Sequence, residues 1–285
     1  MIEKKENNES EEELALEIRG ENIIKIKNIY ELKYKGKNYN LIIMEKALLL
    51  DLWKFNDYYL NHNLLKLIYK EPFEEKVGDN LLRLYSKQII KALEILDRSD
   101  YCHFNINPKN LLISINIELK LSDFSLLRKL ENNNITIPRG TSGYLSPEYF
   151  INNNVNRDIA KKQDYFALGS SLFKLKYGLS LLNYENYEDK KMKADRIIDL
   201  LAKKILYIKS QKDTDKDFSD FLISLIQYKP EDRPNFENII RNKWLNKNNE
   251  EKLVVELQKE DFLKKIENKI QKENKSKYRF KKKQK

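Results

Sequence analysis

The spacing of apolar residues divides the chain into a strand-rich beginning and a helical body. The runs NIIKIKNIYELKY (residues 22–34) and NYNLIIME (38–45) favour two strands, and Lys35-Gly36-Lys37-Asn38 between them predicts a hairpin turn. Because a two-stranded hairpin is marginal in water, we expect it to pack on other elements. Residues 11–19 have the spacing of a short helix, and residues 1–10 are predicted to be disordered.

A long amphipathic helix is predicted from Asp79 to about Arg98. Its apolar face carries Leu82, Tyr85, Ile89, Leu93 and Leu96. The period then changes, and NLLISI (110–115) and IELKLSD (117–123) predict two short strands, followed by a polar loop to about residue 139. Helical spacing returns at 162–177, 194–208, 217–227, 235–242 and 250–273.

Composition indicates a soluble chain with a sizeable core. Of its 285 residues 41 % are hydrophobic and 34 % are charged, and no run of 18 apolar residues offers a transmembrane helix. The N-terminus is acidic and polar and resembles neither a signal nor a transit peptide. Cys102 is the only cysteine, which fits a reducing compartment, so we expect a cytoplasmic or nuclear protein with Cys102 as a buried apolar side chain.

The net charge of +10 is concentrated at one end of the chain. Residues 275–285 contain seven basic side chains and no acidic one, whereas the first 21 residues lean acidic. A basic tail of this kind is typical of a solvated terminus, and it also fits binding to nucleic acid or to an anionic membrane. Any such binding is therefore predicted only for residues 274–285.

Five short motifs follow one another in the chain. They are HFNINPKN (103–110), DFS (123–125), GTSGYLSPE (140–148), DYFALG (164–169) and PEDRPNF (230–236). Each alone is weak, because an isolated Asp-Phe-Ser is commonly a turn and an isolated Asn is commonly a cap. Their order and spacing carry the argument: they match the catalytic loop H-R-D-x-K-x-x-N, D-F-G, the segment ending in A-P-E, D-x-W-x-x-G and a late arginine motif.

From about Glu11 to Leu245 the chain therefore resembles the eukaryotic protein kinase family, of the serine/threonine type. The resemblance implies an α+β, protein-kinase-like fold with a mostly helical C-lobe and a reduced β N-lobe lacking the first three strands. It divides the chain into a disordered N-terminus (1–10), an N-lobe remnant with the end of helix C, two strands and the hinge (11–47), the C-lobe (48–249), a C-terminal helix (250–273) and a basic tail (274–285).

The resemblance also assigns roles to individual residues. Asn110 and Asp123 correspond to the two Mg²⁺ ligands, and carboxylate and amide oxygens suit that ion. Glu148 and Arg233 correspond to a buried ion pair, and Asp164 to the acceptor of backbone N–H groups from the catalytic loop. Other positions follow in the same way: His103 and Phe124 stack in a hydrophobic column with Ala15 and Ile26, Thr141 contacts the catalytic positions, and Met44, Glu45 to Ala47 and Leu112 line the adenine site.

The chain departs from the family pattern where the chemistry is done. Asn105 stands at the catalytic aspartate, Asn107 at the lysine, Phe104 at the arginine and Ser125 at the hinge glycine. Loss of a general base costs about 10²–10⁴ in rate, and in this family catalysis consists mainly of positioning and electrostatics. In addition, G-x-G-x-x-G occurs nowhere in the sequence, and no V-A-I-K-like strand precedes Glu11.

The favoured functional prediction is a catalytically impaired pseudokinase that serves as a signalling scaffold or binding module. It would bind no cofactor tightly, and its partner would be an unknown protein or a second copy, engaged through the hairpin edge or the 250–273 helix. One alternative is an active or weakly active serine/threonine protein kinase that uses ATP and Mg²⁺ and whose glycine-rich loop is missing from this chain. A second alternative is an anionic-membrane or nucleic-acid binder acting through its basic tail.

Overall fold

The fold is known from a computed structural model. It describes residues 2–3, 16–45, 47, 51, 79–114, 118–131, 133–152, 154–182 and 190–247. Ala15, most of the 11–19 helix, the 250–273 helix and the basic tail lie outside the described residues.

The predicted hairpin is present near the start of the chain. Strands β2 (Ile26–Tyr34) and β3 (Lys37–Met44) pair antiparallel. Lys35 and Gly36 join them, and both have positive φ (50° and 79°), as the two central residues of a type I′ hairpin turn require. The prediction of the turn is therefore confirmed.

A third strand, β1 (Ile2–Glu3), adds to this sheet and gives the order β1-β3-β2. It pairs antiparallel with β3, opposite Asn40 and Tyr39. The prediction that residues 1–10 are disordered is thus wrong for Ile2 and Glu3. Strands gain order from pairing as well as from their own apolar pattern, which explains why this polar stretch gave no signal.

The hairpin is anchored to the helical body by the segment before β2. Ile24 donates its backbone N–H to the carbonyl of Leu121 (2.8 Å), and Leu121 donates to the carbonyl of Asn22 (2.8 Å). Ile23 and Ile24 are almost completely buried in the main core. This contact meets the expectation that the hairpin needs a surface on which to pack.

Helix α1 spans Asp79–Arg98, the predicted bounds, and all five residues of its predicted apolar face are buried. Short paired strands follow it. β4 (Tyr101–Cys102) pairs with β7 (Arg128–Lys129), β5 (Leu111–Ile113) with β6 (Leu119–Leu121), and β8 (Ile135–Thr136) with β9 (Asn154–Val155). The β5–β6 hairpin is the predicted strand pair, and at its open end Ser122, the neighbour of Asp123, donates its backbone N–H to the carbonyl of Asn110 (2.9 Å).

The remaining helices form the body of the molecule. They are α2 (Pro147–Ile151), α3 (Arg157–Tyr177), α4 (Lys190–Ser210), α5 (Lys216–Leu225), a 3₁₀ turn (Pro230–Asp232) and α6 (Phe236–Ile240). α3 lies at the centre, and Gly169 allows it to approach α5, because a Cβ there would lie 2.7 Å from the side chain of Ile226. The architecture is α+β with a reduced sheet, as predicted, and no helix in the described part has an apolar stretch that could span a bilayer.

Candidate active site

Asp164, in the buried centre of α3, organises the loop that follows β4. Its carboxylate accepts hydrogen bonds from the backbone N–H of His103 (2.7 Å) and of Phe104 (2.9 Å). Burial raises the pKa of Asp164 to about 7, against the lowering effect of these two donors. Phe104 is buried with φ at 59°, a conformation that costs a bulky side chain free energy and is held here by its bond to Asp164.

His103 and Phe124 stack edge to face, with ring centroids 5.3 Å apart. His103 is completely buried, and burial lowers its pKa to about 4, so the ring is neutral at pH 7. Its Nδ1 accepts the backbone N–H of Asn105 (3.2 Å), and its Nε2 lies 3.1 Å from the carbonyl of Ser122. These contacts assign the ring proton to Nε2. Ile26, the other described member of the proposed column, is also buried in the main core.

Asn105, at the position of the catalytic aspartate, uses both ends of its side-chain amide. Oδ1 accepts from the Thr141 hydroxyl (2.7 Å) and from Asn107 Nδ2 (3.2 Å). Nδ2 donates to Asp123 Oδ2 (3.0 Å). The side chain therefore connects Thr141, in the GTSGYLSPE motif (residues 140–148, from here on the activation segment), to Asp123 of the Asp-Phe-Ser motif.

Asn107, at the position of the lysine, is buried among polar groups. Its Nδ2 also lies within hydrogen-bond distance of the Asn105 carbonyl (2.9 Å) and of Thr141 Oγ1 (3.2 Å), while its Oδ1 accepts the backbone N–H of Lys109 (3.0 Å). Every group that Asn107 contacts here is neutral. The amide thus preserves the position of the loop without supplying the positive charge of a lysine.

Asn110 and Asp123, the predicted Mg²⁺ ligands, are brought to the same end of the β5–β6 hairpin. Asn110 donates through Nδ2 to the Asn105 carbonyl (2.8 Å). Asp123 accepts at both oxygens, from Asn105 Nδ2 and from the Ser125 hydroxyl (2.8 Å). A Mg²⁺ ion binds oxygen at about 2.1 Å, where it would repel the Asn105 N–H that points at the same carboxylate oxygen. With the Asn105 N–H on Oδ2 and the Ser125 hydroxyl on Oδ1, each oxygen of Asp123 is already engaged by a donor of the protein.

The activation segment approaches the catalytic loop closely at Gly140. A Cβ at this position would lie 2.6 Å from the Phe104 carbonyl, so only glycine fits.

Further along, Gln163 of α3 accepts from the backbone N–H of Ser146 (2.8 Å) and donates to the carbonyl of Tyr144 (3.2 Å). Sequence reasoning missed Gln163, although a polar residue beside Asp164 on a buried helix was a usable signal. The hydrogen bond from Ser125 to Asp123 was missed in the same way.

Glu148 and Arg233 form a buried ion pair in which each guanidinium Nη donates to one carboxylate oxygen (2.6 and 2.8 Å). The remaining donors of Arg233 reach the carbonyls of Gln227, Lys162 and Tyr228. All five N–H groups of the guanidinium are satisfied, and its carbon lies 4.9 Å from the centre of the Phe166 ring. The pair joins α2 to the segment before α6.

The predicted adenine-site residues differ in their surroundings. Leu112 and Ala47 are half-buried and pack against the main core. Glu45 bonds through its backbone N–H and its carboxylate to Lys25 (both 2.8 Å), whereas Met44 is 41 % exposed. No group of three or more His, Cys, Asp or Glu residues in the described part could hold a metal ion.

These features define a class of protein. A loop held by an aspartate of the central helix, a His–Phe stack and a buried Glu–Arg pair behind the activation segment are the framework of a protein kinase catalytic lobe. The sequence profile of the protein kinase domain matches residues 1–245, and the chain belongs to that family.

Curated relatives agree with this assignment. The chain is 28 % identical over 180 residues to the calcium/calmodulin-dependent protein kinase cmkA of Emericella nidulans, covering 61 % of this chain and 40 % of the relative. It is 29 % identical over 195 residues to an Aurora kinase of Saccharomyces cerevisiae, covering 67 % of this chain and 48 % of the relative. It is 28 % identical over 127 residues to the serine/threonine-protein kinase MRCK beta of Homo sapiens (43 % and 7 %). The matches thus span less than half the length of each of these relatives.

Proposed function

We propose that this chain is a catalytically impaired protein-kinase domain that works as a binding module or scaffold in signalling. One observation carries the proposal: the side chain at the catalytic-base position is an amide whose nitrogen donates to Asp123 and whose oxygen accepts from Thr141. Both ends of the group that would orient a substrate hydroxyl are engaged within the protein.

The physical chemistry of the loop supports impairment. A carboxamide is neutral and takes no proton from an attacking hydroxyl, and loss of a general base costs about 10²–10⁴ in rate. Asn107 supplies no cation to stabilise charge on a transferred phosphoryl group, although electrostatic stabilisation is commonly the largest catalytic contribution. The framework contacts of Asp164, His103 and Glu148 stabilise the lobe, and none of them requires catalysis.

The second candidate is an active or weakly active serine/threonine protein kinase that uses ATP and Mg²⁺. It is favoured by the names of the relatives and by the presence of Asn110 and Asp123 at the same end of the β5–β6 hairpin. Under this reading Met44, Glu45, Ala47 and Leu112 would line the adenine site.

Nucleotide binding measured by thermal denaturation and calorimetry separates the two candidates. A ligand at about a hundred times its Kd adds roughly 2.7 kcal/mol of stability. We expect ATP to produce no such shift, with or without Mg²⁺. An ATP-dependent shift that Asp123→Asn and Leu112→Asp both remove, together with phosphoryl transfer to a serine/threonine substrate, would support the kinase instead.

The outer face of the β2–β3 hairpin is the described surface best suited to a protein partner. Tyr30, Leu32 and Tyr34 alternate along β2 and so share one face, where they are 51 %, 39 % and 55 % exposed. Tyr39 and Leu41 lie opposite them on β3. In the described sheet β2 is an edge strand, and such edges recruit further strands.

The charges along the edge strand β2 indicate the partner's chemistry. Because side chains alternate along a strand, Lys33 lies on the side of the sheet opposite Leu32 and Tyr34, whereas Lys35 in the turn lies over the Tyr34 ring. Lys25, Lys27, Lys33 and Lys35 are exposed along the same strand and turn, with Glu31 as the single acidic residue between them. A second copy would place two positively charged edge strands side by side. An acidic strand with apolar side chains at alternate positions instead complements the lysines on one side of the sheet and the tyrosines on the other. We therefore assign the face to an acidic, extended segment of a protein partner.

Binding of nucleic acid or anionic membrane by residues 274–285, and a cytoplasmic or nuclear location, remain predictions.

A further inference from the structure

Among the residues that the structure describes, Asp123 carries the one charged side chain in the hydrogen-bond network around Asn105. Its Oδ1 accepts from the Ser125 hydroxyl and its Oδ2 from Asn105 Nδ2. Asp123 also has φ at 63°, so its backbone is held in the left-handed region. The carboxylate is therefore fixed in place and served by two neutral donors of this chain.

The orientation of the Asn105 amide is determined by its other contacts. The Thr141 hydroxyl and Asn107 Nδ2 both lie within hydrogen-bond distance of Oδ1. Turning the amide over would face Nδ2 toward the Asn107 donor and Oδ1 toward the Asp123 carboxylate, which loses two hydrogen bonds and opposes two oxygens. Thr141 and Asn107 therefore hold the N–H of Asn105 toward Asp123.

An aspartate at position 105 would have the opposite effect. Its carboxylate oxygen would replace Nδ2 at about 3 Å from Asp123 Oδ2, and two carboxylates that close repel each other unless one is protonated or a cation lies between them. Asn107 supplies no cation, and its described contacts are neutral. Compared with the aspartate and lysine of the family pattern, Asn105 and Asn107 thus remove one negative and one positive charge from the hydrogen-bond network around Asp123.

We propose that the N–H of the Asn105 carboxamide occupies Asp123 Oδ2 in place of a divalent cation. The hydrogen bonds of the loop are then all formed without a metal ion, and Mg²⁺ does not regulate the protein. This inference rests on the proposed function and extends it, because a scaffold of this kind would have one conformation of the loop at all Mg²⁺ concentrations. Ser125 contributes the second donor, which a glycine at that position would lack.

The test measures the thermal midpoint Tm of the full chain with EDTA, MgCl₂ or MnCl₂ at constant ionic strength. We expect the Tm of the wild-type chain to be unchanged by either metal. Asn105→Asp should lower the Tm in EDTA by about 2–4 °C, and MgCl₂ should restore it. Asn134→Asp makes the same charge change at an exposed loop position and should show neither effect.

Two results would overturn the inference. One is a rise in the wild-type Tm with MgCl₂ that Asp123→Asn abolishes, and the other is an Asn105→Asp variant whose Tm in EDTA equals that of the wild type. Should Asn105→Asp not fold, Asn105→Ala removes the donor from Asp123 Oδ2 without adding a charge. A Tm of the Asn105→Ala variant that MgCl₂ leaves unchanged would also overturn the inference. Magnesium binding by the wild type without phosphoryl transfer contradicts this inference alone, whereas phosphoryl transfer contradicts the proposed function.

Discussion

Arg233 reaches across 85 positions of sequence to form a buried, two-pronged ion pair with Glu148. The guanidinium side chain is completely buried, and the carboxylate side chain is 9 % exposed. Such a pair contributes little net free energy of folding compared with apolar residues of the same size. Removal of one partner, however, leaves a buried charge without a counter-ion.

Glu148→Ala should therefore lower the free energy of unfolding by roughly 3–5 kcal/mol, as measured by urea denaturation. Asp199→Ala is the matched control, because it removes a carboxylate from an exposed pair with Lys203 and should cost at most about 1 kcal/mol. A loss below about 0.5 kcal/mol for Glu148→Ala would contradict the structural importance assigned to the pair.

Restoring the catalytic residue types should not restore activity. The double variant Asn105→Asp/Asn107→Lys should transfer no phosphate above background, because the sequence has no G-x-G-x-x-G loop to cover the nucleotide. Transfer of labelled phosphate from ATP to a serine/threonine substrate protein is the measurement, and adding Asp123→Asn sets the background. Robust transfer by the double variant would mean that the chain holds ATP by other means.

The stability of the protein should report the burial of His103. Its folded pKa of about 4 lies below the usual value of 6.5, so the folded state resists protonation while the unfolded state accepts a proton. The free energy of unfolding should fall, relative to a His103→Gln variant, as the pH decreases from about 6.5 to about 4.

The comparison with His103→Gln is essential because Asp164 acts in the opposite direction. Its folded pKa is raised to about 7, so its contribution to stability is greatest at low pH and is lost as the pH rises to 7. Urea denaturation of both proteins across this range isolates the histidine. Parallel stability curves for the two proteins would show that His103 is not buried in its neutral form.

The hairpin face should bind an acidic, aromatic polymer. Using a fluorescent Glu/Tyr copolymer, we expect Leu32→Asp and Tyr34→Asp to weaken binding about tenfold or more, through loss of apolar contact and added repulsion. Leu206→Asp, at a leucine that is 67 % exposed on α4, is the matched control and should bind normally. Equal binding by all variants would exclude the face. A concentration-dependent mass in light scattering that Leu32→Asp abolishes would favour a second copy as its occupant.

Local patterns predicted the elements that depend on neighbouring residues. The β2–β3 hairpin, its turn at Lys35-Gly36 and the bounds of α1 follow from period and turn chemistry, and the structure confirms them. α3 begins at Arg157, five residues before the predicted start at 162, because the Asn156 side chain caps it by accepting the N–H of Ile159 (2.9 Å). The β1 strand could not be predicted, since two residues carry no period and gain their order from β3.

By itself the sequence determined the family framework and which residue types stand at its motif positions, including the amides at 105 and 107. Only the tertiary structure decided what those amides do. Asn105 contacts Asp123 and Thr141 at separations of 18 and 36 residues, in a loop that Asp164 of α3 holds through backbone hydrogen bonds. A hydrogen bond needs a donor–acceptor distance of about 3.2 Å or less and a nearly straight donor–hydrogen–acceptor angle. The packing of distant segments therefore decides which atom of the amide faces the carboxylate.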